Sequence, residues 1–191
     1  MQSKAYMQRF VLDLLKDKLP AFYYYHNYQH TAFVQQQALE IGDREGCSDE
    51  EMDLLNTAAL WHDTGYLTGY THHEEEGCLL AREHLPRYGY SAAAIDQICG
   101  MIMATRLPQS PHTKLEEIIA DADLAYLGTD SAAEQAYNLL KELQHFHPSL
   151  TPAKWNKTQL VFLRTHQYFT SFCRQYKEPG KQAYLQALTH L

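Results

Sequence analysis

The sequence contains no run of basic residues, and its 16 Lys and Arg against 23 Asp and Glu give a net charge of −7. Sequence-independent binding to nucleic acid needs clustered cations that neutralise phosphates. This composition therefore argues against a nucleic-acid partner. An anionic substrate would instead need a local positive centre, such as a bound metal ion.

Long apolar stretches and paired cysteines are also absent. Charges interrupt the first twenty residues, which lack the apolar core of a signal peptide, and no later segment approaches the roughly 18 apolar residues of a membrane helix. We therefore expect a soluble, cytoplasmic protein with no membrane partner. The cysteines form no CxxC pair, which favours buried, reduced thiols; they are Cys47, Cys78, Cys99 and Cys173.

Helical periodicity dominates what is present, and no convincing strand pattern interrupts it. Apolar residues of the first segment recur at steps of three and four, which predicts an amphipathic helix ending near Pro20. Ser48 with Glu51 has the spacing of a capping box. We predict an all-α bundle of about eight or nine helices, forming one domain with a motif-bearing core at about 22–130 and further helices at about 131–191.

Three boundaries in the second half of the chain are specific predictions. A helix opening at Thr113 should continue to Gly128, and one long helix should cover about 153–177. The Pro179-Gly180 pair should then break the chain before a short terminal helix. The long helix is expected to belong to the core or to form the face of a homodimer.

Polar residues occupy four places where a packed helix would prefer apolar side chains. Asp121 and Asp123 are the clearest case, because they lie in an apolar helix with no Lys or Arg three or four residues away. Buried carboxylates are costly unless they are paired or bind a metal. Imidazole with carboxylate suits Mn, Fe, Co, Ni or Zn better than Ca. The other three places are His26–His30, His62–Asp63 and His72–His73.

The order and context of these places resemble the HD superfamily of metal-dependent phosphohydrolases, which carry a separate His, a His-Asp pair and a distant Asp. The segment Tyr25–His30 is similar to the YHNxxH motif of the cyclic-nucleotide phosphodiesterases, a branch of that superfamily. Leu60–Gly65 resembles the HDxG core, His73–Gly77 an HxxxG element, and Asp121–Gly128 the helix of the final Asp. The resemblance spans about half of the chain and implies an HD-domain bundle.

The resemblance also implies a role for each matching residue. It assigns the divalent metal, whose identity among Mn, Fe, Co, Ni, Zn and Mg stays open, to His30, His62, Asp63 and Asp123. It makes His26 the proton donor to the leaving oxygen and gives Asp63 a second role as acceptor of the proton from water. His73 is expected near that water or the phosphate.

Three further residues remain as alternates. Asp121 and Asp123 point in different directions, since two helical residues turn about 200°. Leu and Gly at the fourth and fifth positions after Asp123 match the superfamily better, so Asp123 is preferred and Asp121 is kept as an alternate ligand. His72 is an alternate at the start of its helix, and Arg106 an alternate phosphate contact. The stretch 101–106 contains no histidine, which speaks against a second metal site.

The sequence thus predicts a metal-dependent phosphohydrolase acting on a phosphomonoester or phosphodiester, with a nucleotide as one candidate substrate. The reaction would use water activated by the metal. An alternative has the same ligands but no turnover: a metal-containing HD module that binds and senses a nucleotide. A closed, purely structural metal site is a weaker alternative.

Overall fold

The computed structural model describes residues 3–190, and in that range it contains ten α-helices, three 3₁₀ segments and no strand. The all-α prediction is confirmed, and the number of helices exceeds the predicted eight or nine. The 3₁₀ segments are Thr64–Leu67, Leu85–Tyr88 and Ala125–Gly128. The α-helices are α1 (Lys4–Lys18), α2 (Tyr28–Arg44), α3 (Asp49–Trp61), α4 (His73–His84), α5 (Ala92–Ala104), α6 (Lys114–Asp123), α7 (Ala132–Phe146), α8 (Pro152–Thr165), α9 (Ser171–Tyr176) and α10 (Glu178–Thr189).

The main hydrophobic core lies between the first six helices. Helix α2 packs against α3 and α6, and α5 packs against α3, α4 and α6. Fully burying one such aliphatic side chain contributes roughly 1.5–3 kcal/mol. This core fixes the helix ends that carry the polar residues. Its members include Val34, Ile41, Leu55, Leu60, Ile98, Ile102, Ile118 and Ile119.

A second, smaller cluster joins the C-terminal helices to this core. Helix α10 packs against α8 and against the 3₁₀ segment Ala125–Gly128. Together with the end of α6, these elements enclose the apolar side of the cavity described below. The cluster contains Tyr25, Leu124, Tyr126, Leu127, Leu163 and Leu188.

Side-chain caps begin several helices where the sequence predicts them. The Ser48 hydroxyl accepts a hydrogen bond from the Glu51 N–H at 3.3 Å, and the Glu51 carboxylate accepts one from the Ser48 N–H at 2.8 Å. This reciprocal pair satisfies two N–H groups that have no partner inside the helix. The predicted capping box is therefore confirmed.

The helix that opens at Thr113 ends at Asp123, not at Gly128 as predicted. Leu124 leaves the helical conformation, and a 3₁₀ segment follows over Ala125–Gly128. A Cβ atom added to Gly128 would lie 2.5 Å from the carbonyl oxygen of Lys177. The close approach of α10 to this segment is a tertiary contact, which local periodicity does not report.

The predicted helix over 153–177 is two helices, and this prediction is wrong. Helix α8 ends at Thr165, α9 begins at Ser171, and the segment between them is not helical. Asp121 accepts hydrogen bonds from the Phe169 and Thr170 N–H groups. These bonds to a buried carboxylate stabilise the non-helical segment between the two helices. The prediction of a Pro179-Gly180 break is also wrong, because both residues lie in the first turn of α10, where proline needs no N–H partner.

Two features that the sequence lacks, paired cysteines and long apolar stretches, can be compared with the structure of residues 3–190. All four cysteines are free; Cys99 and Cys173 are buried, whereas Cys47 and Cys78 are only half-buried. No helix within residues 3–190 is long and apolar enough to cross a membrane.

Candidate functional site

His30 is positioned by the cap of its own helix. The Asn27 side-chain oxygen accepts hydrogen bonds from the N–H groups of Gln29 and His30, and its amide nitrogen donates to the Tyr24 carbonyl. Asn27 therefore ends the preceding loop and begins α2 three residues before His30. The asparagine of the YHNxxH motif has a structural role here, which is to fix the first turn that carries the histidine.

His62 and Asp63 lie where α3 ends. The His62 Nδ1–H donates to the Ala59 carbonyl at 2.8 Å, and this bond orients the ring. When Nδ1 carries the proton, the lone pair of Nε2 is free to bind a metal. Asp63 follows as the cap of the 3₁₀ segment Thr64–Leu67, without a side-chain capping bond.

Four side chains from three helix ends converge in one cluster. His30 Nε2 lies 3.0 Å from Asp123 Oδ1 and 3.5 Å from Asp63 Oδ2. His62 Nε2 lies 3.1 Å from Asp63 Oδ2 and 3.6 Å from Asp123 Oδ1. The ligand atoms of His30, His62 and Asp123 all lie within 4.8 Å of one another. The structure thus gathers His30, His62 and Asp123 into one group, and it places Asp63, the fourth predicted ligand, next to both histidines.

Two buried atoms of this cluster have no hydrogen-bond partner among the described residues, namely His62 Nε2 and Asp63 Oδ2. The two atoms lie 3.1 Å apart, but a hydrogen on His62 Nε2 would not point towards Asp63 Oδ2, so they form no hydrogen bond. Such buried polar atoms are expensive unless something else satisfies them. Two imidazole nitrogens and two carboxylates are a donor set that suits a divalent transition metal. The residues present therefore fit such an ion.

The charges of the cluster reinforce one another. Burial alone would raise the pKa of Asp63, but His62, His26 and His30 outweigh it and hold that pKa far below its usual range. The pKa of Asp123 is lowered against burial by His30 and His62. Burial would lower the pKa of His62, and Asp63 and Asp123 raise it well above its usual range. A cation would take the place of the proton that the His62 imidazole otherwise carries.

Asp121 points away from the cluster. It is fully buried, and it accepts hydrogen bonds from the Phe169 N–H at 2.9 Å and from the Thr170 N–H and hydroxyl at 2.8 and 2.7 Å. Burial raises the pKa of Asp121, and these bonds oppose the rise. Both oxygens of the Asp121 carboxylate accept hydrogen bonds from the segment between α8 and α9. Asp123, in contrast, lies beside His30 and His62.

His26 forms a pair with a carboxylate that the sequence analysis did not single out. Its Nδ1 contacts Glu142 Oε1, while Oε2 of the same carboxylate accepts the Tyr25 and His26 N–H groups at 2.9 and 3.0 Å. Burial lowers the pKa of His26, but Glu142 outweighs this effect and the net pKa is raised. Glu142 thus fixes both the backbone and the ring of His26, and its side chain has no exposure to solvent.

His73 reaches the site because Gly65 lets its helix approach. A Cβ atom added to Gly65 would lie 1.9 Å from the His73 carbonyl oxygen, so the glycine of HDxG is required by close packing. The His73 ring stacks on Tyr66 with centroids 4.0 Å apart, and its Nε2 lies 3.9 Å from Asp63 Oδ1. Burial lowers the pKa of His73, with Asp63 and Glu74 opposing.

A cavity of about 400 Å³ opens beside the cluster. That volume lies within the roughly 300–1,000 Å³ typical of small-molecule sites. Asp63 and Asp123 belong both to the cluster and to the cavity wall, so the two are continuous. The wall near the cluster also contains His26, His73, Glu74 and Tyr66.

The HD domain family matches residues 27–125, slightly more than half of the chain. The chain belongs to the HD-domain family. A predicted HD superfamily hydrolase from an uncultured Thermotogales bacterium has a similar crystal structure, with a TM-score of 0.64 and 20% sequence identity over 95% of this chain and 89% of that one. At this identity the likeness shows the fold alone. No curated protein matches the sequence significantly.

The matched HD domain includes the four clustered residues, but it excludes His26 and Glu142. The contact between these two residues joins the loop just before the matched domain to α7. No positional signal in the sequence identifies Glu142, because its partner is 116 residues away. Tyr66 and Tyr70, which line the cavity after the HDxG segment, were also missed; their closeness to that motif is the signal that could have found them.

The remaining two alternates lie outside the cluster. His72 is exposed, adopts a left-handed conformation with φ of 61°, and comes no closer than 3.8 Å to its neighbour Glu75. Arg106 contacts the Glu75 carboxylate, lies 3.6 Å from Glu74 and does not belong to the cavity wall. The structure brings neither residue into the position that the sequence analysis considered for it.

Proposed function

We propose that this HD-domain protein is a metal-dependent phosphohydrolase that acts on a phosphomonoester or a phosphodiester. One observation carries the proposal. The unpartnered His62 Nε2 and Asp63 Oδ2 lie in a buried cluster that opens on a small-molecule cavity. The similarity to a predicted HD superfamily hydrolase supports the class of reaction. The identity of the chemistry rests on the site, since one fold supports many activities.

In this proposal a single divalent ion binds to the cluster. The ion supplies a Lewis acid that polarises a phosphoryl oxygen and makes water more acidic. The buried imidazoles and carboxylates contribute fixed ligands, because the Ala59 carbonyl and the Asn27 cap already orient two of them. The proposed ligands are His30, His62, Asp63 and Asp123.

Asp63 also has a role at the cavity. Its carboxylate lines the cavity, and Oδ1 lies 3.9 Å from His73 Nε2. We assign to Asp63 the acceptance of a proton from the attacking water. His73, held by its stacking on Tyr66, orients that water or a phosphoryl oxygen.

His26 is the proposed proton donor to the leaving oxygen. Glu142 binds Nδ1 of His26. The Nε2 atom, on the opposite side of the ring, has no hydrogen-bond partner within residues 3–190, and the ring lines the cavity. The raised pKa of His26 favours the protonated form that a general acid needs. Proton transfer from Nε2 would let the alcohol leave as a neutral molecule.

The experiment measures metal content and hydrolysis on the same samples. Protein purified without chelator is analysed for metals and assayed with a generic phosphomonoester and phosphodiester, as wild type, His62→Ala and His84→Ala. His84 is the control, because it is a mostly enclosed histidine that stacks on Phe10 and lies outside the cluster. We expect about one metal per chain in the wild type and in His84→Ala. Metal and hydrolysis should be lost together in His62→Ala.

Two other results would change the conclusion. Metal without hydrolysis of any ester would favour the non-catalytic nucleotide-sensing module. Absence of metal from the wild type, even after addition of Mn, Fe, Ni or Zn, would refute the metal site itself. A closed structural metal site is disfavoured by the cavity that reaches Asp63 and Asp123.

A further inference from the structure

Away from the metal cluster, the cavity wall is mostly apolar, with Thr158 and Gln159 of α8 as its polar side chains on that helix. Leucine, phenylalanine, tryptophan and tyrosine side chains form it, and they come from α7, α8, α10 and the 3₁₀ segment that follows α6. A wall of this kind removes apolar ligand surface from water. Residues that contribute to it are Leu127, Leu139, Leu143, Trp155, Phe162 and Tyr184.

Most of this apolar wall is built by residues beyond the HD domain match, which ends at residue 125; Leu107 and Leu124 are the two leucines of the wall inside the match. The polar cluster lies inside the match. Residues that select the organic part of a substrate are therefore supplied by the C-terminal helices. The metal cluster at the other end of the same cavity lies inside the match.

The wall contains no lysine or arginine within the described part of the chain. Its acidic side chains are those of Asp63, Glu74 and Asp123, and its basic side chains are the imidazoles of His26 and His73. Arg106, the nearby candidate for a phosphate contact, is paired with Glu75. A chain of two or three phosphates would meet acidic and apolar surface beyond the first phosphoryl group, and charges placed there without partners are costly.

We propose, on the basis of the proposed function, that the substrate has a single phosphoryl group attached to an apolar or aromatic organic group. The phosphoryl group lies at the metal cluster, and the organic group lies against the wall formed by α7, α8 and α10. Nucleoside diphosphates and triphosphates are excluded from this class.

The test measures binding of three phosphonates to the Mn²⁺-loaded full chain by titration calorimetry. The probes are 1-naphthylmethylphosphonate, methylphosphonate and methylenediphosphonate. Each contains P–C bonds, which the proposed hydrolysis cannot cleave. Burial of the naphthyl ring at about 25 cal/mol per Å² should make the first probe at least about 50-fold tighter than methylphosphonate. Methylenediphosphonate, compared after correction for its binding to free Mn²⁺, should show no such gain.

A pair of matched variants locates the effect in the wall. Leu139 and Leu160 are both half-buried and pack on the same hydrophobic cluster, but only Leu139 lines the cavity. We expect Leu139→Asn to weaken the naphthyl probe about tenfold and to leave methylphosphonate binding unchanged. Leu160→Asn should change neither, and methylphosphonate binding verifies that each variant is folded.

The outcomes separate this inference from the proposed function. Equal affinity for the naphthyl and methyl probes, or a corrected preference for the diphosphonate, would overturn the inference even if esters are hydrolysed. An equal loss of naphthyl binding in both leucine variants would overturn it too. A clear naphthyl preference in a protein that hydrolyses no ester would support the binding site and refute the proposed hydrolysis.

Discussion

The sequence offers both Asp121 and Asp123 as candidates for one metal-binding carboxylate. The structure gives them different surroundings, so exchanging each for asparagine should have different consequences. Asp121 Oδ2 accepts from the Thr170 N–H and hydroxyl, and Oδ1 accepts from the Phe169 N–H. Asp123 Oδ1 instead lies beside His30 and His62.

The cost of Asp121→Asn follows from these bonds. An asparagine can turn its oxygen towards Thr170, but its NH₂ group then faces the Phe169 N–H, and two donors oppose each other. Loss of one hydrogen bond to a charged, buried acceptor costs about 2 kcal/mol or more. For a chain of this size we expect the melting temperature to fall by about 4–8 °C. The bound metal should be unchanged, since Asp121 is turned away from the cluster.

Asp123→Asn should show the reverse pattern. An amide oxygen is a weaker metal ligand than a carboxylate, so metal content should fall to a small fraction of the wild-type value. The rise in melting temperature that Mn²⁺ gives the wild type should also disappear, because binding to the folded state alone is what produces it. Differential scanning fluorimetry with and without Mn²⁺, combined with elemental analysis, measures both effects. The assignment is refuted if Asp121→Asn loses the metal and Asp123→Asn keeps it.

Four further perturbations have definite expected results. Gly65→Ala should lower the free energy of unfolding by about 2 kcal/mol or more in a thermal melt, since its Cβ would clash with the His73 carbonyl. Glu142→Gln should lower the pKa of His26, so the alkaline decline of kcat should move to lower pH in a pH–rate profile; an unchanged profile would contradict the donor assignment. His26→Ala should reduce kcat by about 10²-fold with metal content retained. Removing the metal with a chelator should abolish hydrolysis and lower the melting temperature, by roughly 5–10 °C if the ion was present at about 100 times its Kd.

The helices that carry the cluster are largely predictable from the sequence. Ser48 and Thr113 are N-caps at their predicted positions, and each begins a helix whose other end carries a residue of the cluster. Asn27 is the N-cap of the helix that carries His30 in its first turn. These signals are local, because a cap and the N–H groups that it satisfies lie within three residues. The order of the His, His-Asp and Asp motifs then indicates which helix ends meet. For this reason four distant side chains could be placed together before their distances were known.

The parts that sequence reasoning missed depend on contacts between distant residues. The stretch 153–177 has an uninterrupted helical pattern, yet the Asp121 carboxylate binds backbone N–H groups at Phe169 and Thr170 and ends the helical run. Glu142 lies next to apolar residues of α7, and its partner His26 comes from a loop before α2. Neither contact leaves a trace in local periodicity, because each is determined only when the C-terminal helices pack on the core.

Both missed contacts join the C-terminal part of the chain to earlier segments, and both act through a buried carboxylate. Asp121 of α6 holds the segment before α9, and Glu142 of α7 holds the backbone and ring of His26. A buried carboxylate that has lost its donors is costly, so each contact favours one packing of the two parts of the chain. The proposed proton donor and the apolar wall therefore depend on the same interface. A variant that loosens this interface should impair the orientation of His26 and the binding of an apolar substrate together, while His30, His62 and Asp63 keep their positions on the core helices.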